Sequence, residues 1–356
     1  MDVTAFLVMI GKIIFLLAIC LGVVPFLVWF ERRGSAWMQG RVGPSRVGPF
    51  GLFQSFADVL KFFFKEDFVP ANANKFYYYA APAIALTAPL AALSLIPFGS
   101  NIIISGQSFP LQVAMVDTGI LFILAFAGLE VYPMILAGWS SNNKYSVLGA
   151  LRGSSQIISY EIAMGLALVS MLMAYGTLDP HQMVAAQKSG GAVGYWGFLI
   201  NTLGALIFWV CIFAETNRLP FDLPEGESEL VAGFHLEYGA IKFALFFLAE
   251  YVAMIMASAL MVILFFGGYG LLPGMSNLIP HLESSLRLHP QNAKAILEFT
   301  SLFLKVAFLM FVFVWVRWTL PRFRYDQVMD LGWKIMFPLG LVNLVYMAIL
   351  TAWLAH

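Results

Sequence analysis

Eight stretches of the chain are apolar over enough residues to cross a bilayer: 4–30, 76–97, 113–137, 155–176, 195–214, 241–266, 299–320 and 333–354. A helix rises about 1.5 Å per residue, so about 20 residues cover the roughly 30 Å of hydrocarbon in a membrane. Lipid offers no partner to a free peptide group, and such a stretch must hydrogen-bond within itself as a helix. The fold class that follows is all-α: a polytopic membrane protein with about eight transmembrane helices in a single membrane domain, 1–356. Composition agrees, since 11% of residues are charged where a soluble domain carries about 25%. The first apolar stretch lacks a basic leader and a small-residue cleavage site, and reads as the first span, not a signal peptide.

Other features narrow the chemistry. The formal net charge is zero, and nothing points to nucleic acid as a partner. Cys20 and Cys211 both sit in apolar runs, so no disulfide framework or cysteine-ligated cluster can be built. The five histidines fall outside the spans, leaving no intramembrane pair for a haem, and there is no P-loop or dinucleotide fingerprint. The expectation is a chain with no metal, no covalently bound cofactor and no redox centre of its own. Lys and Arg in or bordering the first, third, fifth and seventh connections number 14, against 3 in the others. The positive-inside rule then predicts both termini on the outer side.

The first inner loop opens with Glu31, Arg32 and Arg33 and continues through two Gly-Pro pairs, at Gly43-Pro44 and Gly48-Pro49, which stop a helix and fix turns. Beyond them Phe53, Phe56, Val59, Leu60, Phe63 and Phe64 recur at helical spacing, with Gln54, Asp58, Lys61 and Lys65 opposite. This predicts an amphipathic interfacial helix after the first span, as a plain surface helix or as part of a site. The fifth loop is acidic on the side where basic loops belong: Glu215, Asp222, Glu225, Glu227, Glu229 and Glu237 face a single Arg218. It reads as a solvated face or, because Leu219, Phe221, Leu223, Leu230 and Val231 alternate with the acids, as a docking surface for another chain.

Lys12, Asp117, Glu130, Glu161, Lys242, Glu250 and Lys305 lie inside the predicted spans, with Glu31 and Glu215 at span ends. A charge near the bilayer centre costs about 2.5 to 3.5 kcal/mol on insertion scales, so such residues point to function. Glu130, Glu161 and Glu250 come from three different spans and fall in the inner half or near mid-depth. A proton path is one reading and neutral or paired structural acids the other. Lys12 and Lys305 fall in the outer halves, and Lys242 reads as able to snorkel inward.

The segments FERRGSAWMQGRVGPSRVGPFGLFQSFADVLKFFFKE (30–66), GWSSNNKYSVLGALRGSSQIISYE (138–161), ETNRLPFDLPEGESELVAGFHLEYGAIKFALFFLAEY (215–251) and PRFRYDQVMDLGWK (321–334) carry a family resemblance. The chain resembles the quinone-site membrane component, the H subunit, of the proton-pumping type I NADH dehydrogenases, respiratory complex I. The likeness extends over nearly the whole chain and is weakest from about 267 to 298.

The resemblance implies a chain that walls much of a quinone tunnel. Its quinone-binding residues would be Arg32, Gly34, Trp37, Arg41, Phe56, Asp58, Val59, Lys61, Phe63 and Phe247. It implies a proton route and coupling element built from Glu31, Glu130, Glu161, Glu215, Glu225, Glu227, Glu229 and Glu250, with Glu66 in the amphipathic segment. The implied substrate is ubiquinone or menaquinone, its head reaching a Tyr and a His of a peripheral subunit. The implied partners are other membrane and peripheral subunits, docked through the first, third and fifth inner loops, and the lipid of a bacterial inner membrane with both termini periplasmic. Two alternatives remain: the equivalent component of an energy-converting hydrogenase-type complex, and a stand-alone ion transporter.

Overall fold

A computed structural model describes residues 3–104, 106–188, 196–286 and 289–354, with the side chains of 3, 227, 228, 285 and 286 outside the description. The first span is α1 (Val3–Met38), 36 residues long. At about 1.5 Å per residue it is longer than the membrane is thick, so its last turns carry Glu31 to Trp37 out to the loops. A tight turn and α2 (Gln54–Phe64) follow, then α3 (Lys75–Ser94) recrosses to a β-hairpin, β1 (Asn101–Ile104) with antiparallel β2 (Gln107–Pro110). The third crossing is split into α4 (Gly119–Gly128) and α5 (Val131–Ser140), and α6 (Lys144–Tyr175) is the fourth.

On the hairpin side α7 (Pro180–Lys188) precedes α8 (Gly197–Ile200) and α9 (Thr202–Glu215), which together make the fifth crossing. A folded loop containing α10 (Glu227–Leu230) leads to α11 (Ala240–Phe265). The chain then passes through α12 (Ile279–Leu286) into α13 (Pro290–Thr319), and ends with α14 (Tyr325–Asp330), a π-helical turn at Leu331–Met336, and α15 (Phe337–Leu354). Because each crossing reverses the chain, α2 and the loop 216–239 share one face, the loop face. The hairpin, α7 and α12 share the other, the hairpin face.

Counting α4 with α5 and α14 with α15 as one helix each, seven of the described helices are long and apolar enough to span, and α9, with 14 residues, is the shorter eighth crossing. The predicted third and fifth spans are broken, and in both cases a polar residue marks the break. Glu130 sits between α4 and α5, and Asn201 caps α9 by accepting the Gly204 amide at 2.8 Å while donating to Ser170 at 2.7 Å. Asp117, expected inside a span, is exposed and precedes α4. Helix α11 is the centre of the bundle: 78% of its most apolar window is buried, against 17% in the last span, which lies at the periphery of the chain.

Two glycines fix the loop face. At Gly51 (φ +73) a Cβ would lie 2.3 Å from the Pro44 carbonyl oxygen, and at Gly233 (φ +58) it would lie 1.6 Å from that of Pro224. Only glycine permits these backbones to cross so closely. Arg33 then locks the first turn, donating to the Pro44 and Phe50 carbonyls at 3.1 Å each, and Trp29 donates to Phe50 at 3.0 Å. The acidic loop folds inward. Phe221, Leu223 and Leu230 are buried, the first two in the main core, so the apolar residues predicted to dock on another chain dock mainly on this one. Val231 alone of that set is an exposed large side chain.

Candidate functional site

Glu31 lies near the loop-face end of α1 and is almost fully buried, so its charge needs partners. It accepts a 2.7 Å hydrogen bond from the Tyr251 hydroxyl of α11, lies 3.4 Å from Arg218 Nη1, and pairs with Arg317 of α13. Arg218 is the hub of this cluster. Its Nε lies 2.6 Å from Glu250 without the alignment of a hydrogen bond, and its guanidinium sits 4.4 Å from the Tyr251 ring centroid. Burial works against the Arg218 charge, but Glu250, Tyr251 and Glu31 outweigh it and raise its pKa. Arg218, Tyr251 and Arg317 are absent from the sequence-based site residues. The signal that could have found Arg218 is its position as the one base among six acids; the other two carry no sequence signal of comparable strength.

Beside this cluster is a cavity of about 80 Å³, lined by Glu130, Glu215, Glu225 and Glu250 on one hand and by Phe243, Phe246 and Phe247 on the other. About 10 to 15 Å³ is enough to seat one water, so the space has room for several. The buried Glu130 Oε1 and Glu215 Oε1 have no hydrogen-bond partner among the described residues, and water is the partner such atoms call for. Glu161 lies just behind: a Cβ on Gly128 would approach its Oε1 to 2.7 Å, and its charge acts on Glu215. The structure therefore brings together Glu31, Glu130, Glu161, Glu215, Glu225 and Glu250. It leaves Glu229 outside, exposed and 2.5 Å from Arg152. The Glu227 side chain is outside the described residues.

Asp222, in the folded loop, adds a titrating group. Burial and then the Glu225 carboxylate push its carboxyl up to about 7, with Arg322, 2.6 Å away, pulling the other way. His235 lies 3.9 Å from Glu225.

The second set of predicted residues gathers where α1, α2 and α11 meet. Arg32 pairs with Asp58 at 2.5 Å, fastening α1 to α2. Gly34 faces Val314 of α13, where an added Cβ would make ordinary contact at 3.6 Å. Trp37, Phe56, Val59 and Phe63 are exposed large apolar side chains on this side. Arg41 bonds locally to Gln39 at 2.6 Å, and Lys61 lies over the Phe62 ring at 5.1 Å. Glu66 is exposed. From α2 a line of rings runs inward: Phe62 to Phe243 at 6.0 Å, Phe243 to Phe247 at 6.1 Å and Phe247 to Tyr251 at 5.2 Å. It ends on the hydroxyl that donates to Glu31.

The remaining predicted intramembrane cations are anchored. Lys242 meets Asp67 at 2.9 Å on the loop face, Lys12 donates to the Gln112 carbonyl at 3.0 Å, and Lys305 donates to the Gly268 and Gly270 carbonyls at 2.9 and 2.7 Å. Among the described residues no group of three metal-ligating side chains converges.

A family model described as NADH dehydrogenase matches residues 11–348. Among curated proteins, the NADH-quinone oxidoreductase H subunit of Salinibacter ruber is 50% identical over 325 residues, covering 91% of this chain and 90% of the relative. NADH-quinone oxidoreductase subunit 8 of Rhodothermus marinus is 49% identical, with 91% of each chain covered. The NADH-quinone oxidoreductase H subunit of Bdellovibrio bacteriovorus is 45% identical, covering 95% of this chain and 94% of the relative.

Proposed function

We propose, for a chain that belongs to the NADH dehydrogenase family together with the H subunits of NADH-quinone oxidoreductase, that it walls a quinone passage and passes the effect of quinone reduction to a set of buried carboxylates. The observation that carries this reading is the continuous line from the amphipathic helix through Phe62, Phe243, Phe247 and Tyr251 to the buried Glu31, Arg218 and Glu250. An isoprenoid quinone needs an apolar wall for its tail and a polar end for its head, and this line has that polarity. Arg32, Trp37, Arg41, Phe56, Val59 and Phe63 stand at its membrane end, where a lipid-soluble substrate enters.

A change of charge on the substrate acts first on the Glu31–Arg218–Glu250 cluster, because charges in a poorly solvated region are weakly screened. Those side chains exchange partners or protons, and Glu225, Glu215, Glu130 and Glu161 continue the path through cavity water. The relatives' names support other subunits of the same oxidoreductase as partners. The excess of Lys and Arg on the loop face supports that face as the cytoplasmic, partner-facing side, with both termini periplasmic. Electrons enter from centres on those partners, and ubiquinone or menaquinone is the acceptor. The exposed Val231 and Glu229 remain on the loop face for docking.

Val59 is exposed on the membrane-entry side of α2, so Val59→Trp narrows the passage without touching a buried charge. We expect NADH:quinone turnover to fall several-fold while NADH oxidation by a hydrophilic artificial acceptor is kept. Unchanged quinone turnover in fully assembled enzyme would contradict the passage.

A further inference from the structure

The hairpin face carries a second cavity, on the opposite side of the bundle from the loop-face acids. Between α11 and α13 lies a space of about 300 Å³ lined by Val262, Phe266, Leu272, Leu304, Phe308 and Leu309 together with Trp196 and Lys305. Phe308 is 65% exposed and Leu304 48%, so the cavity opens sideways on the outer flank of α13. Its surface end runs into a polar space that shares Trp196 and is lined by Lys188, Lys294 and Glu298.

The charges there do not balance. Glu298 is buried and both its oxygens are used, Oε1 by Lys188 at 3.0 Å and Oε2 by the Ser100 amide at 2.7 Å. Among the described residues Lys305 has the two carbonyls named above and the Trp196 ring, 5.5 Å away, but no carboxylate. Among the described residues Lys294 is exposed and makes no ion pair or hydrogen bond. Two ammonium groups, Lys188 and Lys294, thus share the polar space with one carboxylate, and Lys305 in the adjoining apolar cavity adds a third positive charge; Lys294 and Lys305 each repel Lys188. An anion at this spot neutralises an excess that the protein leaves standing.

The order of the two cavities along α13 identifies the source of that anion. The polar end, at Lys294 and Glu298, is nearer the helix start, and the apolar end, at Leu304 to Leu309, is deeper in the span. Ten residues of helix separate Lys294 from Leu304, about 15 Å, which matches the passage from headgroup to acyl chain in a leaflet. A soluble anion would need only the outer part, and a neutral lipid would not need the lysines.

We propose that this groove holds one anionic glycerophospholipid of the hairpin-face leaflet, its phosphate beside Lys294 and Lys188 and an acyl chain along Phe266, Leu304 and Phe308. The inference is independent of the quinone reading, since it concerns the opposite face. The test is photolabelling of the assembly purified through a tag on this chain and placed in phosphatidylcholine nanodiscs doped with an acyl-diazirine phosphatidylglycerol. Label is expected on peptides spanning 262–309, displaced by unlabelled phosphatidylglycerol but not by added phosphatidylcholine. It should fall several-fold in Lys294→Gln and in Leu304→Trp, which fills the apolar end. Equal competition by phosphatidylcholine with Lys294→Gln unaffected would make this bulk lipid and overturn the site. Full displacement by inorganic phosphate alone, or crosslinks from this face to another polypeptide in place of lipid, would also overturn it.

Discussion

At the level of single residues, Arg218 holds the most electrostatic weight. Glu31 and Glu250 come from α1 and α11 and would repel one another without the guanidinium between them. Removing one member of a buried ion pair leaves an uncompensated charge and costs about 3 to 5 kcal/mol. Arg218→Gln is therefore expected to cut the amount of assembled enzyme sharply, as read on a native gel. Lys in the same place keeps the charge but not the planar fork, and should restore assembly in part. Wild-type assembly of Arg218→Gln would mean the cluster is not held as described. The acids were legible in the sequence because charge inside an apolar run stands out. Tyr251 and Arg317 were not, because a tyrosine in a span and an arginine at a span's end are ordinary, and only the packing of α1, α11 and α13 gives them Glu31 as a partner.

Among the elements, the loop between α9 and α11 marks where local sequence stops being decisive. Alternating acids and apolar residues signalled docking, and the structure supplies the surface within the same chain: Phe221 packs edge-on to Tyr160 at 5.4 Å and to Phe323 at 5.5 Å. Nothing local in the sequence distinguishes a partner's surface from the chain's own, since both bury the same side chains. Helix α2, by contrast, was legible from its spacing alone, and Glu130 and Asn201 show how a break in a span is written as a polar residue in an apolar run.

The buried loop also makes a pH prediction. Asp222 in the folded loop holds its proton up to about 7, whereas an unfolded aspartate loses it near about 3.9. Between these values the folded form binds the extra proton, so stability falls as pH rises through that window and levels off above it. Thermal inactivation at pH 5.5 and 7.5 should differ more for the wild type than for Asp222→Asn, by at most a few kcal/mol. An identical pH difference in both would remove Asp222 from the account.

For the whole molecule, the crossing order sets which groups share a side of the membrane. The basic-residue count and the acid cavity both belong to the loop face, so a single labelling experiment tests the orientation of the whole. Ser45 is exposed there, while the native Cys20 and Cys211 are buried and give little background. In Ser45→Cys an impermeant maleimide should react only after the cytoplasmic membrane is permeabilised, and labelling of intact cells would invert the topology. Number and order of spans were readable because bilayer thickness imposes a length on each one. The cavity was not, because it depends on how α3, α5, α9 and α11 converge, which no periodicity encodes.

The central claim is that buried carboxylates of this chain couple quinone chemistry to proton movement, and Glu161 tests it most directly. No cation pairs with Glu161 among the described residues, so Glu161→Gln removes a titrating group without orphaning a partner, and the fold should be kept. The measurement is proton uptake into inside-out vesicles alongside NADH:quinone turnover, in membranes with the wild-type amount of assembled enzyme. The account predicts that pumping and coupled turnover fall together, several-fold or more. Wild-type pumping at wild-type turnover in Glu161→Gln would contradict it.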